Sequence, residues 1–471
     1  MRRRNTMNWN SGLRIVFRSL LLTVILPCIV VAYAWSEEKI SPLQEKAVTP
    51  DQGSTNMSED MQSAPTATTF TLNECIDIAL RKNPNILAAL YTVDVSKSRV
   101  GEARSNYYPQ VSAQAAYDRT KPSVTSAGIS VGSAPIFNTY SGSINLSQTI
   151  LDFGKTSSSV GISKYNLESS QHDLNTTEDA TILSVKQAYY GVLQAKRNRN
   201  VAADVIKQFQ LHLDQAKGFY EVGTKAKIDV IKAEVDLSNA QLSLINAENS
   251  LKISWLTLRN AMGVPSAPEF LIEDNLSFQK YSITIDEATS RAFENRPDLR
   301  SIIAKGHAAE ENISFQKTGY YPVLSGNANY FVTEIDEQPY KMNNSWDVGV
   351  MLTIPLFNGF QTSHQVAEAK SNLYLIRANE DTLRLQVILD VRQAYLNLQA
   401  AEASISTAEL AATQAKENLD LANGRYAAGV GSPVEVSDAF ATYVSAEANY
   451  NGALYNYKIA QASIEKAMGA R

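Results

Sequence analysis

Hydrophobic and polar positions follow two periods along this chain. Over the longest stretches apolar residues recur every three or four positions. One stripe runs Val387, Val391, Ala394, Leu398, Ala401, Ile405, Ala408, Ala412, Ala415, Leu419, Ala422 and Tyr426. An earlier one runs Val185, Ala188, Val192, Ala195, Ala202, Ile206, Phe209, Leu213, Ala216 and Tyr220, with Arg199 as a polar intruder. Each is followed by a shorter stripe, Val230 to Leu251 and Val436 to Ile464, with the same spacing. So sustained a pattern predicts coiled-coil seams, and alanines alternating with larger residues allow close helix approach. Ala401 and Ala408 fall on the close-packed stripe and Glu402 beside it, toward solvent.

The second period is two. Apolar Val111, Ala113, Ala115 and Tyr117 interleave with polar Ser112 and Gln114. Tyr140, Gly142, Ile144 and Leu146 alternate with Ser141, Ser143, Asn145 and Ser147. The pattern returns at Leu324, Ala328 and Tyr330, and again at Trp346, Val348, Val350, Leu352 and Ile354. Segments of about ten residues with one apolar and one polar face suit a transmembrane barrel with a wet lumen. A soluble sandwich with one buried face would alternate in the same way. The polar faces are rich in Ser and Asn, and Tyr108, Tyr140, Tyr321 and Trp346 sit near strand ends, which favours the barrel. Four such strands cannot close, because about eight are the practical minimum. Open edges in lipid would leave backbone groups unpaired, so the chain is expected to oligomerise.

The chain carries one plan twice. Thr71-Leu72-Asn73-Glu74 matches Thr284-Ile285-Asp286-Glu287, and Tyr107-Tyr108-Pro109 matches Tyr320-Tyr321-Pro322, at one fixed offset. At a slightly smaller offset Val185-Lys186-Gln187-Ala188-Tyr189 matches Val391-Arg392-Gln393-Ala394-Tyr395, Tyr220 and Gly223 match Tyr426 and Gly429, and Ala261-Met262-Gly263 matches Ala467-Met468-Gly469. A period of about 200 residues is far too long for a solenoid unit and indicates a duplicated subdomain. Each copy reads as a short helix, a medium helix, two strands, a very long helix, a turn and a long helix. The expected layout is a first repeat over 70–268, a waist segment over 269–282 and a second repeat over 283–469. The long arm, Thr156 to Lys217, would span about 93 Å, against about 55 Å for the return arm Ala226–Met262 and about 35 Å for Pro84–Asn106. The two shorter helices stacked end to end would match the long one.

Composition narrows the class. The chain has 471 residues, 44% hydrophobic and 19% charged, as folded proteins do. Arg2, Arg3, Arg4, Arg14 and Arg18, the apolar run Leu20–Val31 and Ala32-Tyr33-Ala34 predict a secretory signal peptide over 1–34. Its removal takes five arginines and no acid from a chain whose net charge is already -5, which argues against a nucleic-acid partner. It also leaves Cys75 as the one cysteine, so no intramolecular disulfide is expected. Residues 35–69, rich in Ser, Thr, Pro, Gln and Glu, read as a flexible linker. His172, His212, His307 and His364 have no metal-ligand spacing, and no phosphate loop or nucleophile elbow is present. No enzymatic role and no cofactor are expected.

The ordered, repeated motifs resemble the TolC-type outer-membrane efflux protein family. The resemblance covers most of residues 70–469. It rests on the duplicated layout, the Tyr-Tyr-Pro leads, Leu151-Asp152-Phe153-Gly154 and Pro355-Leu356-Phe357-Asn358-Gly359 at the strand-to-helix junctions, and the tips Tyr220-x-x-Gly223 and Tyr426-x-x-Gly429. It implies an α+β channel subunit: a homotrimer with a twelve-stranded β-barrel in outer-membrane lipid, continued by an α-helical barrel in the periplasm of a Gram-negative bacterium. The implied function is the exit duct of a tripartite efflux pump or type I secretion system, working with a periplasmic adaptor and an inner-membrane transporter. A periplasmic coiled-coil scaffold or adaptor is the alternative. Matched from the tip tyrosines, the family's periplasmic constriction falls on Asp229, Glu435 and Asp438, and its adaptor-contacting tips on Tyr220, Gly223, Tyr426 and Gly429. Gly431 stands where some members carry a basic latch residue. Ser432-Pro433-Val434-Glu435 also has the form of a capping box, which would make Glu435 a helix cap.

Overall fold

The computed structural model describes residues 69–121, 136–267, 270–335 and 343–470. The expected signal peptide and nearly all of the expected linker lie outside these residues. The first copy comprises β1 (Thr69–Phe70), α1 (Leu72–Lys82), α2 (Pro84–Ser105), β2 (Gln110–Thr120), β3 (Phe137–Leu151), α3 (Lys155–Glu221) and α4 (Lys227–Ala261). After β4 (Leu271–Ile272) the second copy repeats the order as α5 (Ile285–Asn295), α6 (Pro297–Lys317), β5 (Val323–Ile335), β6 (Asn343–Thr353), α7 (Gln361–Ala427) and α8 (Pro433–Ala467).

Local chemistry sets the boundaries. Thr71 and Glu74 form a reciprocal capping box at α1: the Thr71 hydroxyl accepts from the Glu74 amide, and the Glu74 carboxylate accepts from the Thr71 amide at 2.7 Å. Thr284 caps α5 with its hydroxyl alone, accepting from the Glu287 amide. Pro84, Pro297 and Pro433 occupy first-turn positions, where the missing N–H costs nothing. At the strand-to-helix corners the chain turns through left-handed pairs, Phe153 and Gly154, then Gly359 and Phe360. The long helices α3 and α7 have 67 residues each, slightly more than the apolar stripes indicate. Their first turns extend beyond the seam, toward the sheet.

The sheet runs β2-β3-β5-β6, antiparallel throughout. Its register lines up Ala113, Ile144, Tyr330 and Trp346 in one cross-strand row and Val111, Leu146, Ala328 and Val348 in the next. Polar Ser112, Asn145, Asn329 and Asp347 form an alternate row. The period-two pattern thus sorts every strand consistently. No described element covers the apolar face: Trp346 is 75% exposed and Val348 72%. That argues against the sandwich, which needs a second layer there. Strands β2 and β6 each pair on one side only, and their outer edges have no partner among the described residues.

Helix α3 packs on α2, α4, α6 and α8, and α7 packs on α6 and α8. The main core joins both copies at mid-helix. Cys75 and Ala79 of α1, Tyr189 and Leu193 of α3, and Leu258 of α4 meet Val387 and Leu398 of α7 and Tyr457 and Ile464 of α8. The waist crosses this core. Thr69, which the sequence reading put in the linker, pairs in parallel with Leu271. The Tyr189 hydroxyl donates to the Glu273 carbonyl at 2.7 Å. The Tyr457 hydroxyl donates to the Gln279 carbonyl and accepts from the Tyr281 amide, both at 2.8 Å. Lys280 reaches Glu402 at 2.8 Å. The stripe put Glu402 toward solvent; instead its side chain is only 29% exposed and tethers the waist. Ala401 and Ala408 are half-buried against the core.

Candidate functional site

Both helical hairpins end over the same turn. After α3 the Gly223 amide donates to the Tyr220 carbonyl at 3.0 Å and the Thr224 amide to the Phe219 carbonyl at 2.9 Å, with Gly223 left-handed at φ 79°. After α7 Gly429 donates to Tyr426 at 3.0 Å and Val430 to the Arg425 carbonyl at 3.1 Å, with Gly429 at φ 77°. These glycines are required by backbone geometry. The two tyrosines part company. Tyr220 is 45% exposed, whereas Tyr426 is 0% exposed. The Tyr426 ring packs against His212 and Phe219 of α3, at centroid distances of 4.4 and 5.8 Å. Phe209, Ala422, Val436 and Phe440 extend this small core shared by the two hairpins. What Tyr426 offers at the tip is packing, since it presents no surface.

The sequence reading missed Lys225. It is the first-copy counterpart of Gly431, found by carrying the repeat offset through the turn. Its ammonium lies 5.8 Å from the Tyr426 ring centroid and 3.5 Å from the Gly431 carbonyl. A base of the first hairpin thus reaches the turn of the second. Gly431 itself has no room for more: a Cβ there would stand 2.7 Å from the Tyr426 amide nitrogen. Further up, the Ser437 hydroxyl of α8 donates to the Asp236 carboxylate of α4.

The three acids have different surroundings. Asp229 is half-buried in the first turn of α4. Its charge, together with burial as the larger cause, pushes the Tyr426 phenol up from its ordinary value. Glu435 is exposed and pairs with Arg425 at 3.3 Å. The expected capping box is not formed: the Ser432 hydroxyl caps α8 by accepting from the Val434 amide at 3.2 Å, and Glu435 turns away to the guanidinium. Asp438, one turn on, is exposed, and among the described residues no hydrogen bond or ion pair reaches its carboxylate. Bases share this end of the molecule, at Lys225, Lys227, Lys232 and Arg425.

A family model described as outer membrane efflux protein matches residues 75–264 and 288–470, one block in each copy. The chain belongs to this family. It is 25% identical over 406 residues to outer membrane protein TolC of Vibrio cholerae, covering 84% of this chain and 90% of the relative. It is 24% identical over 412 residues to TolC of Escherichia coli, covering 82% and 80%. Its fold matches the CmeC outer membrane channel of Campylobacter jejuni with a TM-score of 0.71 at 18% identity, over 88% of this chain and 94% of that one. As an outer membrane efflux protein the chain is an exit duct of an efflux or secretion system, seated in the outer membrane of a Gram-negative bacterium with a large periplasmic part. The scaffold or adaptor alternative falls with this assignment. Among the described residues no helix is long and apolar enough to cross a membrane.

Proposed function

We propose that three copies close a twelve-stranded barrel in outer-membrane lipid and a helical barrel beneath it, through which cargo leaves. The observation that carries this is the four-stranded sheet with an uncovered apolar face and two open edges. A second observation supports a ring. Helix α4 packs on α3 through Ala233 and Ala240, yet its other side shows an exposed apolar stripe, Ile228, Ile231, Val235, Leu242, Ile245 and Leu256. Helix α7 likewise exposes Leu389, Leu396 and Leu410 at heptad spacing. Two different unpartnered seams on one chain suit a head-to-tail contact that closes by rotation. Mass measurement in mild detergent should give three chains per particle, and a monodisperse monomer would overturn the proposal.

The same reading makes the tips the periplasmic mouth. Asp229, Glu435 and Asp438 constrict it, and a periplasmic adaptor carrying the link to an inner-membrane transporter docks at Tyr220, Gly223 and Gly429. Tyr426 supports that surface from within. A ring of carboxylates favours cations. With Glu435 held by Arg425, most of the effect is assigned to Asp438 and Asp229. Planar-bilayer recordings should show cation selectivity and block by multivalent cations. Both should weaken in Asp229→Asn/Glu435→Gln/Asp438→Asn, and Asp438→Asn alone should weaken them more than Glu435→Gln. Unchanged selectivity and block in the triple variant would remove these acids from the mouth.

A further inference from the structure

Two rings in contact at the tips each carry a buried polar atom with no hydrogen-bond partner among the described residues: Nε2 of His212 and the hydroxyl of Tyr426. His212 is 3% exposed, on α3, and its ring lies against that of Tyr426, on α7. The contact joins the two hairpins. The charged groups acting on the imidazole all lie on α4: Asp236 and Asp229 favour the cation and Lys232 opposes it. Asp236 is engaged by the Ser437 hydroxyl of α8. Helix α7 presents the Tyr426 phenol, with the Lys225 ammonium on the same ring. Near this end of α8, Glu435 is taken by Arg425, and Asp438 is exposed.

We propose that His212 makes the closure of the two tips sensitive to pH: a neutral imidazole fits between the hairpins, and an imidazolium parts them. The neutral ring is a flat, largely apolar filler that leaves one nitrogen without a partner. Protonation turns both nitrogens into donors and adds a charge where no acceptor is aimed at Nε2. A buried charge without a partner is disfavoured, and the direct relief is hydration of the ring as α7 moves off α3. The sign follows from linkage. Burial, which outweighs the two carboxylates, lowers the His212 pKa from the ordinary 6.5 with the tips together. Closure is therefore fullest above the ordinary imidazole pKa and weakens as pH falls from there toward the lowered value. The repeat-equivalent position in α7 is Asn418, which does not titrate, so each chain carries the device once.

The proposal rests on the tips being the gate, and two readouts separate the claims. Hydrogen exchange of the tip segments, corrected for intrinsic rates, is measured on the purified full chain in detergent between about pH 7.5 and about pH 5.5, where carboxylates stay ionised. In the wild type, tip opening should rise by up to about tenfold per pH unit for each His212. His212→Asn and His212→Phe should remove the response; the second keeps the ring volume, so one variant remains informative if the other folds poorly. A pH response that is absent in the wild type, or equal in the variants, overturns the proposal. Bilayer conductance is recorded in parallel. Exchange that follows His212 while conductance does not supports the switch and overturns the gate. Conductance and exchange that respond equally in wild type and variants overturn the switch and leave the gate standing.

Discussion

The α3–α4 and α7–α8 hairpins have matching lengths, 67 and 35 residues in each, and turn over matching left-handed glycines, yet their tips do different work. The first tip is open and reaching. Tyr220 faces solvent, Lys225 stretches to the neighbouring turn, and α4 starts at Ala226 with no side-chain cap. The second tip is inserted and held. Tyr426 is buried against α3, Gly431 is pressed against its own helix end, and Ser432 caps α8. Duplication supplied a common backbone, and a few side-chain differences made one tip a socket and the other a plug. Residues at equivalent positions therefore do not inherit equivalent roles.

The sharpest test of that distinction is truncation of the two tyrosines. Tyr426→Ala empties a filled site and should cost about 3–5 kcal/mol, whereas Tyr220→Ala should stay within about 0.5 kcal/mol. Denaturant unfolding of the helical signal reads both, and similar losses would erase the difference between socket and plug. Next in size is Gly431→Ala, whose added methyl meets backbone at 2.7 Å and so has no flexible neighbour to displace. It should cost about 1–3 kcal/mol by overpacking. The counterpart substitution, Lys225→Ala, removes one cation–π contact over the Tyr426 ring and should cost about 0.5–1 kcal/mol. A harmless Gly431→Ala would mean that the turn relaxes and that glycine is not demanded there.

Much of the fold was legible because it is periodic. The register places Ala113, Ile144, Tyr330 and Trp346 in one row, as two-residue alternation requires. Ala412, Ala415, Leu419 and Ala422 are buried as the stripe requires. Periodicity is silent about which second partner a helix face meets. Glu402 beside the stripe is tied to Lys280 of the waist, a segment without any period of its own. Helix α4 shows a second exposed apolar stripe that the first one masked, because three-to-four spacing can be drawn through either side of an alanine-rich helix. At the tips the limit is different. Lys225, His212 and Arg425 act across turns or between hairpins, and nothing local announces such contacts. Only Lys225 had a usable signal, its position opposite Gly431 in the repeat.

The next substitution exchanges a cap between the tips. Ser432→Ala should cost about 0.5–2 kcal/mol, while Ala226→Ser should add a cap and stabilise α4, because the Ala226 backbone is already extended at φ -82° and ψ 156°. Slower exchange at the start of α4 in the second variant, and faster exchange at the start of α8 in the first, would show that capping differs between the tips for reasons of side chain alone. Unaltered protection in both would mean that packing around Val436 and Phe440 sets the helix start.

The smallest expected effect belongs to the Arg425–Glu435 pair, and it bears on how closely the tips approach in the assembled channel. Phe219 and Asp229 occupy the matching positions of the first hairpin, so only the second tip has this pair. Its side chains are 59% and 48% exposed and 3.3 Å apart. An exposed pair of this kind contributes about 0–1 kcal/mol and is screened by salt. A double-mutant cycle of Arg425→Gln and Glu435→Gln should therefore give a coupling below about 1 kcal/mol that fades at high salt. Glu435→Gln retains an acceptor, so its single-variant loss should be smaller than that of Ser432→Ala. A coupling that is larger and survives high salt would place the pair in a desolvated contact between neighbouring chains. Glu435 would then belong to the seam that holds the tips together, leaving Asp229 and Asp438 as the carboxylates free to face the pore.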